Sequence, residues 1–475
     1  MRALAIAVGL LAGLLAGCER TSALYCEKHP GGCDADAAVA DACTTDDACV
    51  ANANGMPYCL DLTTCVGCRT SADCAEPTAT CDPGTHACRG CKADSECAST
   101  LCLDSGACAA VDQVAYIGGP TASGQVCTQL LPCPTIEAAL ALDPRPSYIR
   151  LVGDVSEPGT VTIDMATVVD ILGSGFAIAF TNGGVGLDIT DTATVGLHHV
   201  DVSHTNGSAS SGDDCIFLEG TGPKLTVARA TIHGCDGDGI DASAGTVVVT
   251  DSEIHDCRYG IEQLNDAVLT VAHSTLHTNR QYAIHVSVTG TPPPRTQIDS
   301  SVFAFNASAT DSSGYTALDV TGSLAIKNSI IARNGSTAAS AGGITLNATA
   351  PASVEFLTIA DNITSVAGGK GMTCFGTVTS KVSDSIITGN TPSTSTLCPL
   401  TYSLTDATFA GTGNKMGLPM FYPGITSATD PHFYRIQVGS AAIDGADPAS
   451  TITKDIDGDT RPAGMADMGA DEYHP

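Results

Sequence analysis

Tryptophan is absent from the 475-residue chain, and aromatic residues make up only 4% of it. Flat stacking platforms for bases or sugar rings are therefore scarce at the level of composition. Basic residues are few as well: 21 Lys and Arg stand against 51 Asp and Glu, a formal net charge of −30. Such a surface repels nucleic acid and anionic lipid, which excludes phosphate-backbone binders, and it tolerates divalent cations. Beyond the N-terminal leader no apolar run reaches the ~20 residues that a membrane-crossing helix needs.

What is present begins with that leader, MRALAIAVGLLAGLLAGCER. Arg2 supplies the charged start, Ala3 to Leu15 the apolar stretch, and Ala16, Gly17 and Cys18 the small-residue cleavage zone of an export signal. Leu15, Ala16, Gly17 and Cys18 resemble the lipobox of bacterial lipoproteins. The resemblance implies a signal peptide over 1–17 and an acylated Cys18 that holds the chain on a membrane. Glu19, in place of the Asp that retains such proteins at the inner membrane, implies the outer membrane, facing the surface or the periplasm. The alternative is an ordinary signal peptide with an incidental cysteine. Residues 18–42 read as a tether in which Cys26 and Cys33 form one bridge.

The remaining cysteines are organised. Three units of four run 43-49-59-65, 68-74-81-88 and 91-97-102-108, each opening C-x5-C and joined to the next by C-x2-C. In an exported chain this density predicts small disulfide-rich modules over 43–110, with a connectivity that spacing does not determine. Zinc ligation is the competitor, but C-x2-C falls only between units. The spacing resembles cysteine-rich modules of the Dickkopf-like kind.

Further on, seven segments align without gaps: 225–235, 247–257, 269–279, 296–306, 324–334, 352–362 and 380–390. Their last column holds Cys235, Cys257, Asn279, Asn306, Asn334, Asn362 and Asn390. Eight residues earlier stand Val227, Val249, Val271, Ile298, Ile326, Val354 and Val382; three earlier stand Ile232, Ile254, Leu276, Phe303, Ile331, Ile359 and Ile387. Short alternating runs broken by Gly and Asn predict strands and turns in units that bury their apolar sides only by stacking. The pattern resembles the right-handed parallel β-helix of the pectate-lyase type. The expected fold is therefore all-β, a parallel β-helix of roughly ten coils with coils about 4.8 Å apart. Asn in the last column is expected to form an inward ladder at a bend, itself in the left-handed conformation. Cys235 and Cys257, stacked in that column, are expected either to bridge or to remain two buried thiols.

The solenoid is placed at 111–405. Its N-terminal cap carries a Cys127–Cys133 loop and an amphipathic helix with Ile136, Ala139 and Leu140 on one face. A C-terminal cap segment is placed at 406–475, where Phe433 to Tyr473 resembles the terminal segment of bacterial surface β-helix proteins. That match rests on Asp444, Asp455, Arg461, Pro462, Asp467, Gly469 and Glu472. DIDGD (455–459) spaces carboxylates as calcium loops do, but its Gly is early and the Glu at twelve is missing, so a cap salt-bridged through Arg461 is expected instead.

Two constellations carry candidate chemistry. Asp213 and Asp214 in GDDCI resemble the acid pair of polygalacturonases, which implies Asp214 as acid and Asp213 as water activator. The other motifs of that family are missing: NGGVGLDI (182–189), GDGI (237–240) and CRYGIEQ (257–263) stand in their places, with Asp238 where a His belongs and no Lys after Arg258. The pair is therefore expected to be scaffold. Two residues before the last column stand His233, His255 and His277, with His204 near the same position one coil earlier and Glu253 beside His255. Alternation points this row outward, as a zinc-binding row or a solvated polar column. Ala304, Ala332, Ala360 and Thr388 continue it.

These features predict a membrane-anchored, non-catalytic binding or structural protein whose partner is a polysaccharide or a surface protein. No cofactor is required, and Zn or Ca is the divalent metal to consider. The alternative is a polysaccharide lyase or glycoside hydrolase with a non-standard site.

Overall fold

The computed structural model describes residue 43 and residues 45–475, apart from 52–55, 62–63, 76–79, 104, 120–121, 182, 205–211, 288–294, 309–314, 337–340, 365–369 and 391–397. The leader, Cys18 and the Cys26/Cys33 bridge lie outside the described residues. Two compact units divide between Val111 and Asp112.

In the first unit each group of four cysteines pairs first with third and second with fourth. The bridges are Cys43–Cys59 and Cys49–Cys65, Cys68–Cys81 and Cys74–Cys88, and Cys91–Cys102 and Cys97–Cys108. Sulfurs bonded to each other are not thiolate ligands, so these twelve cysteines do not hold zinc. Short antiparallel pairs such as Tyr58–Leu60 with Thr64–Val66 lie between the bridges. Cys43, Cys49, Cys59 and Cys65 themselves form the buried centre of the first module. With so few apolar side chains, the cross-links supply the constraint that a core would otherwise give.

The second unit is a right-handed parallel β-helix. Three sheets of twelve, twelve and nine strands build it, and each central coil contributes one strand to each. One coil is Lys224–Ala228 in the first sheet, Thr231–His233 in the second and Ile240–Ala242 in the third. The next coil repeats this in register: Leu225 pairs with Val247, Ile232 with Ile254 and Ile240 with Ile261. Both apolar columns seen in the sequence are buried along their whole length, each such side chain worth roughly 1.5–3 kcal/mol.

Single left-handed residues make the corners. Arg229, Asp251, His273, Ser300, Asn328, Phe356 and Asp384 turn the chain from first to second sheet, at φ between 48° and 56°. The second corner corrects the expectation for the Asn column: the left-handed residues are Thr278, Phe305, Arg333 and Asp361, each immediately before an Asn. The turn made by that residue swings the following Asn inward. There Asn279, Asn306, Asn334, Asn362 and Asn390 form a buried ladder: from Asn306 on, each Oδ1 accepts the backbone N–H and the side-chain N–H of the Asn one coil earlier, and Asn279 Oδ1 accepts the Cys257 N–H. A second ladder lies at the first corner. Ser252, Ser274, Ser301 and Ser329 each donate to a carbonyl two residues back and accept a backbone N–H from the coil before.

Cys235 does not pair with Cys257. It bridges to Cys215, and Cys257 remains a buried thiol. Cys215 stands where the third strand begins, outside the columns that the repeat reveals. Burial pushes the Cys257 thiol up to about 12 and leaves it unreactive.

At the N-terminal end, Cys127–Cys133 closes its loop, and the helix Ile136–Leu140 buries Ile136, Ala139 and Leu140 in the solenoid core. Thr135 Oγ1 caps it by accepting the Ala138 N–H. The other end differs from a simple cap. Lys415–Met416 adds a last rung beside Leu404–Thr405, so the boundary expected at 406 falls inside the solenoid. The chain then lies back along the outer face of the second sheet. Phe433, Tyr434, Ile456 and Ala470 pack on Ala304, Ile330, Ala332 and Ala360. The small side chains of the Ala column leave a flat surface for this brace, and these alanines are buried instead of solvated.

Candidate functional site

The register of the third sheet gathers side chains that sit far apart in sequence. Its outward column runs Asp188, Phe217, Asp241, Glu262, His285 and Asp319, one per coil. All six are half-buried. One ligand oxygen each from Asp238, Asp241 and Glu262 lie within 4.8 Å of one another. His285 Nδ1 is 2.9 Å from Glu262 Oε1. Arg258 grips Asp238 with two bonds, Nε to Oδ1 at 2.8 Å and Nη2 to Oδ2 at 2.7 Å.

The electrostatics of this cluster favour protons over charge. Burial pushes Asp241 up to about 8, and the nearby Glu262, Asp214 and Asp238 carboxylates add to it. Burial likewise pushes Asp238 upward, against the opposing pull of Arg258. Asp241 is therefore mainly a neutral acid at pH 7, able to donate a hydrogen bond. Such shifts in a carboxylate cluster mark a candidate site.

Three of the chain's eleven tyrosines border the cluster. Tyr259 and Tyr282 are register partners, their ring centroids 5.1 Å apart and edge-on. Tyr282 stacks on His285 at 4.9 Å and meets Tyr315 edge-on at 5.1 Å. Burial holds the Tyr259 phenol up at about 12, and the Arg258 guanidinium lies 4.4 Å over its ring. Scarcity of aromatics in the composition thus coexists with a local concentration of them.

Asp213 and Asp214 lie at the bend leading into this sheet, and both are 4% exposed. Asp213 Oδ1 accepts the Gly184 N–H and Asp214 Oδ1 the Asp238 N–H, each at 2.7 Å. Burial raises Asp214 above the usual carboxylate range. Both carboxylates are engaged by backbone N–H groups of the bend.

The histidine row lies on the second sheet. His233, His255 and His277 are register partners with nearly parallel rings, centroids 5.1 and 4.8 Å apart. Nearby carboxylates hold them: Asp201 Oδ1 is 2.9 Å from His233 Nε2, Asp256 Oδ2 2.8 Å from His255 Nδ1, and Glu253 Oε1 2.6 Å from His277 Nε2. His204 does not join them. Ser203 is the register partner of His233, and His204, one residue further, turns inward, buried beside Phe180.

Sequence reasoning missed Asp241, Glu262, His285, Asp319 and the three tyrosines. A signal was present in IDA (240–242), IEQ (261–263), IHV (284–286) and LDV (318–320), each an outward polar residue between two inward ones.

The chain resembles known proteins over this same region. A family described as "right handed beta helix region" matches residues 159–303. Among solved structures, the crystal structure of pectate lyase Pel9A aligns with a TM-score of 0.41 and 13% identity, over 76% of this chain and 96% of that one. No curated protein matches the chain.

Proposed function

We propose that the protein is an exported, lipid-anchored β-helix, facing the cell surface or the periplasm, that binds a polysaccharide without cleaving it. The observation carrying this reading is the alignment of Tyr259, Tyr282 and His285 beside Asp241 and Glu262 on one sheet, with Tyr315 edge-on to Tyr282. Tyrosine rings present a negative π face to the weakly positive C–H bonds of a pyranose. A neutral Asp241 and its carboxylate neighbours offer donors and acceptors for sugar hydroxyls. The acidic surface selects against polyuronates and favours neutral or amino sugars.

A hydrolase reading would need two carboxyl groups standing free at about 5–5.5 or 6.5–9.5 Å. Here one oxygen each of Asp238, Asp241 and Glu262 lies within 4.8 Å of the others, and Asp238 is committed to Arg258. In this reading anchoring rests on Cys18, and Cys18→Ser should move the protein out of the membrane fraction; persistence there would remove the lipoprotein reading. For the binding reading, the mature chain should bind a neutral or amino-sugar polysaccharide in calorimetry. Tyr282→Ala should weaken that binding at least about tenfold, or ~1.4 kcal/mol. Undiminished binding by Tyr282→Ala would remove this face from the reading, and release of new reducing ends would replace it with the hydrolase.

A further inference from the structure

We propose that Glu253, His255 and His277 form a binding site for one divalent late-transition-metal ion, of which Zn²⁺ is the probe. Glu253 and His255 share the strand Glu253–His255, two residues apart and thus on one face. His277 is the register partner of His255 in the next coil. One ligand atom from each of the three lies within 4.8 Å of the others.

The row as a whole is not equivalent, and the hydrogen bonds show where it divides. His255 Nδ1 is held by Asp256 Oδ2 at 2.8 Å and His277 Nδ1 by Thr278 Oγ1 at 3.1 Å. Asp256 and Thr278 are the left-handed corner residues, at φ 56° and 52°, so the fold turns each one back toward the imidazole it follows. Asp256 can only accept, so His255 Nδ1 carries a proton and its Nε2 the lone pair; the Thr278 hydroxyl can donate to His277 Nδ1, whose Nε2 meets Glu253. This carboxylate- or hydroxyl-supported imidazole is the arrangement that orients histidine ligands and raises their basicity. His233 is different: the carboxylate beside its Nε2 is Asp201, at 2.9 Å, and not Glu253. It should not be a ligand.

In the metal-free chain a proton lies between Glu253 Oε1 and His277 Nε2, 2.6 Å apart. A bound ion takes the place of that proton, with metal–nitrogen and metal–oxygen distances of about 2.0–2.2 Å. Glu253 has the side-chain freedom to open the gap, its side chain being 36% exposed. The parallel rings need only a tilt toward each other. Two imidazoles and one carboxylate suit zinc, nickel or copper and not calcium, which takes six to eight oxygens. The next residue of the column, Ala304, is fully covered by the C-terminal brace, whereas His277 keeps 18% of its side chain exposed. Three protein ligands and a solvent-facing fourth position follow.

This site stands on the second sheet and is independent of the glycan reading on the third. Its test is calorimetry with zinc chloride on the tag-free, disulfide-intact mature chain in detergent. One ion per chain should bind, with a dissociation constant of about 10 μM or tighter. His255→Ala and His277→Ala should each weaken binding by more than about tenfold, Glu253→Gln and Asp256→Asn by about tenfold, and His233→Ala by less than about twofold. Unchanged circular dichroism and melting keep the comparison clean. Glu253→Gln, which preserves shape, serves should an alanine variant fail to fold. Failure of the parent to bind below millimolar zinc would overturn the proposal. So would equal affinity in the parent and His255→Ala, or loss of binding in Glu262→Gln with retention in His255→Ala, which would place the ion among the third-sheet carboxylates.

Discussion

Replacement of Arg461 by Ala is expected to loosen the C-terminal brace at a cost of about 3–5 kcal/mol, the range found when one member of a buried ion pair is removed. The Arg461 side chain is 1% exposed and faces Glu472, 3% exposed, at 3.2 Å. Its nitrogens also donate to the carbonyls of Lys454, Asp467, Gly469 and Ala470, and one reaches Asn328 of the solenoid at 3.4 Å. The guanidinium lies 4.2 Å over the Phe356 ring, itself part of a left-handed corner. One side chain therefore ties the brace to itself and to two coils. Burial pushes Glu472 up to about 7 even with Arg461 beside it. Without Arg461 that carboxyl would take up a proton, which softens the loss without restoring five donors. Lysine should not rescue the variant, because one ammonium cannot replace a planar fork. Limited proteolysis should release the segment after Met416 from Arg461→Ala and leave the parent intact. An unchanged digestion pattern together with an unchanged denaturation midpoint would show that the brace is held by its apolar contacts alone.

The neighbouring DIDGD loop shows the same use of charge. Asp455 accepts the backbone N–H groups of Asp457, Asp459 and Glu472, and Asp457 forms two 2.8 Å bonds with Arg435. Its first two carboxylates are thus engaged by the chain's own donors, and Arg461 supplies the salt bridge expected from the sequence.

The core columns were legible because two strands and two corners recur at fixed offsets, so that Val227, Ile232 and Cys235 stand as Val249, Ile254 and Cys257 do one coil on. The serine ladder was equally visible, since Ser252, Ser274, Ser301 and Ser329 share a column of the same alignment. It went unread because a serine in a turn is ordinary, and only stacking makes it a ladder. The third sheet was hidden by uneven spacing. Cys257 is followed closely by Ile261, but Asn306 is separated by a long connection from Leu318, so no gapless alignment carries Asp241 onto Glu262, His285 and Asp319. The brace was hidden for another reason: Tyr434 meets Asp361 and Arg333 across long stretches of chain, and periodicity does not report such contacts. The histidine row was legible as a row, while the carboxylate beside each ring, Asp201 at His233, Asp256 at His255 and Glu253 at His277, depends on side-chain positions that only coordinates give.

Asn334→Ala should be about as damaging as the loss of Arg461, for a different reason. Asn334 Oδ1 accepts the Asn306 backbone N–H at 2.9 Å and the Asn306 side-chain N–H at 3.0 Å. Its own Nδ2 donates to the carbonyls of Phe303 and Ala332 and to Asn362 Oδ1. All these groups are buried. Alanine therefore strands the Asn306 backbone N–H, takes one acceptor from an Asn306 side-chain amide that keeps Leu276 and Ala304, and removes a donor from three oxygens. An unsatisfied buried polar group costs roughly 1–3 kcal/mol. Partial relaxation and the carbonyls' remaining bonds bring the expected total to about 3–5 kcal/mol. The ladder is also a chain of aligned amides that polarise one another, so the damage should spread to adjacent rungs. Because each coil contacts mainly its neighbours, the loss is expected as local opening around residues 303–362 before global unfolding. Hydrogen exchange resolves this: the Asn306 and Asn334 amides should exchange at least about a hundredfold faster in the variant, while the amides of Ile171 and Val195, several coils away, keep parental rates. Equal acceleration along the whole solenoid would mean that it unfolds as one unit. Parental rates at Asn306 would mean that the ladder is dispensable and the apolar columns alone set the register.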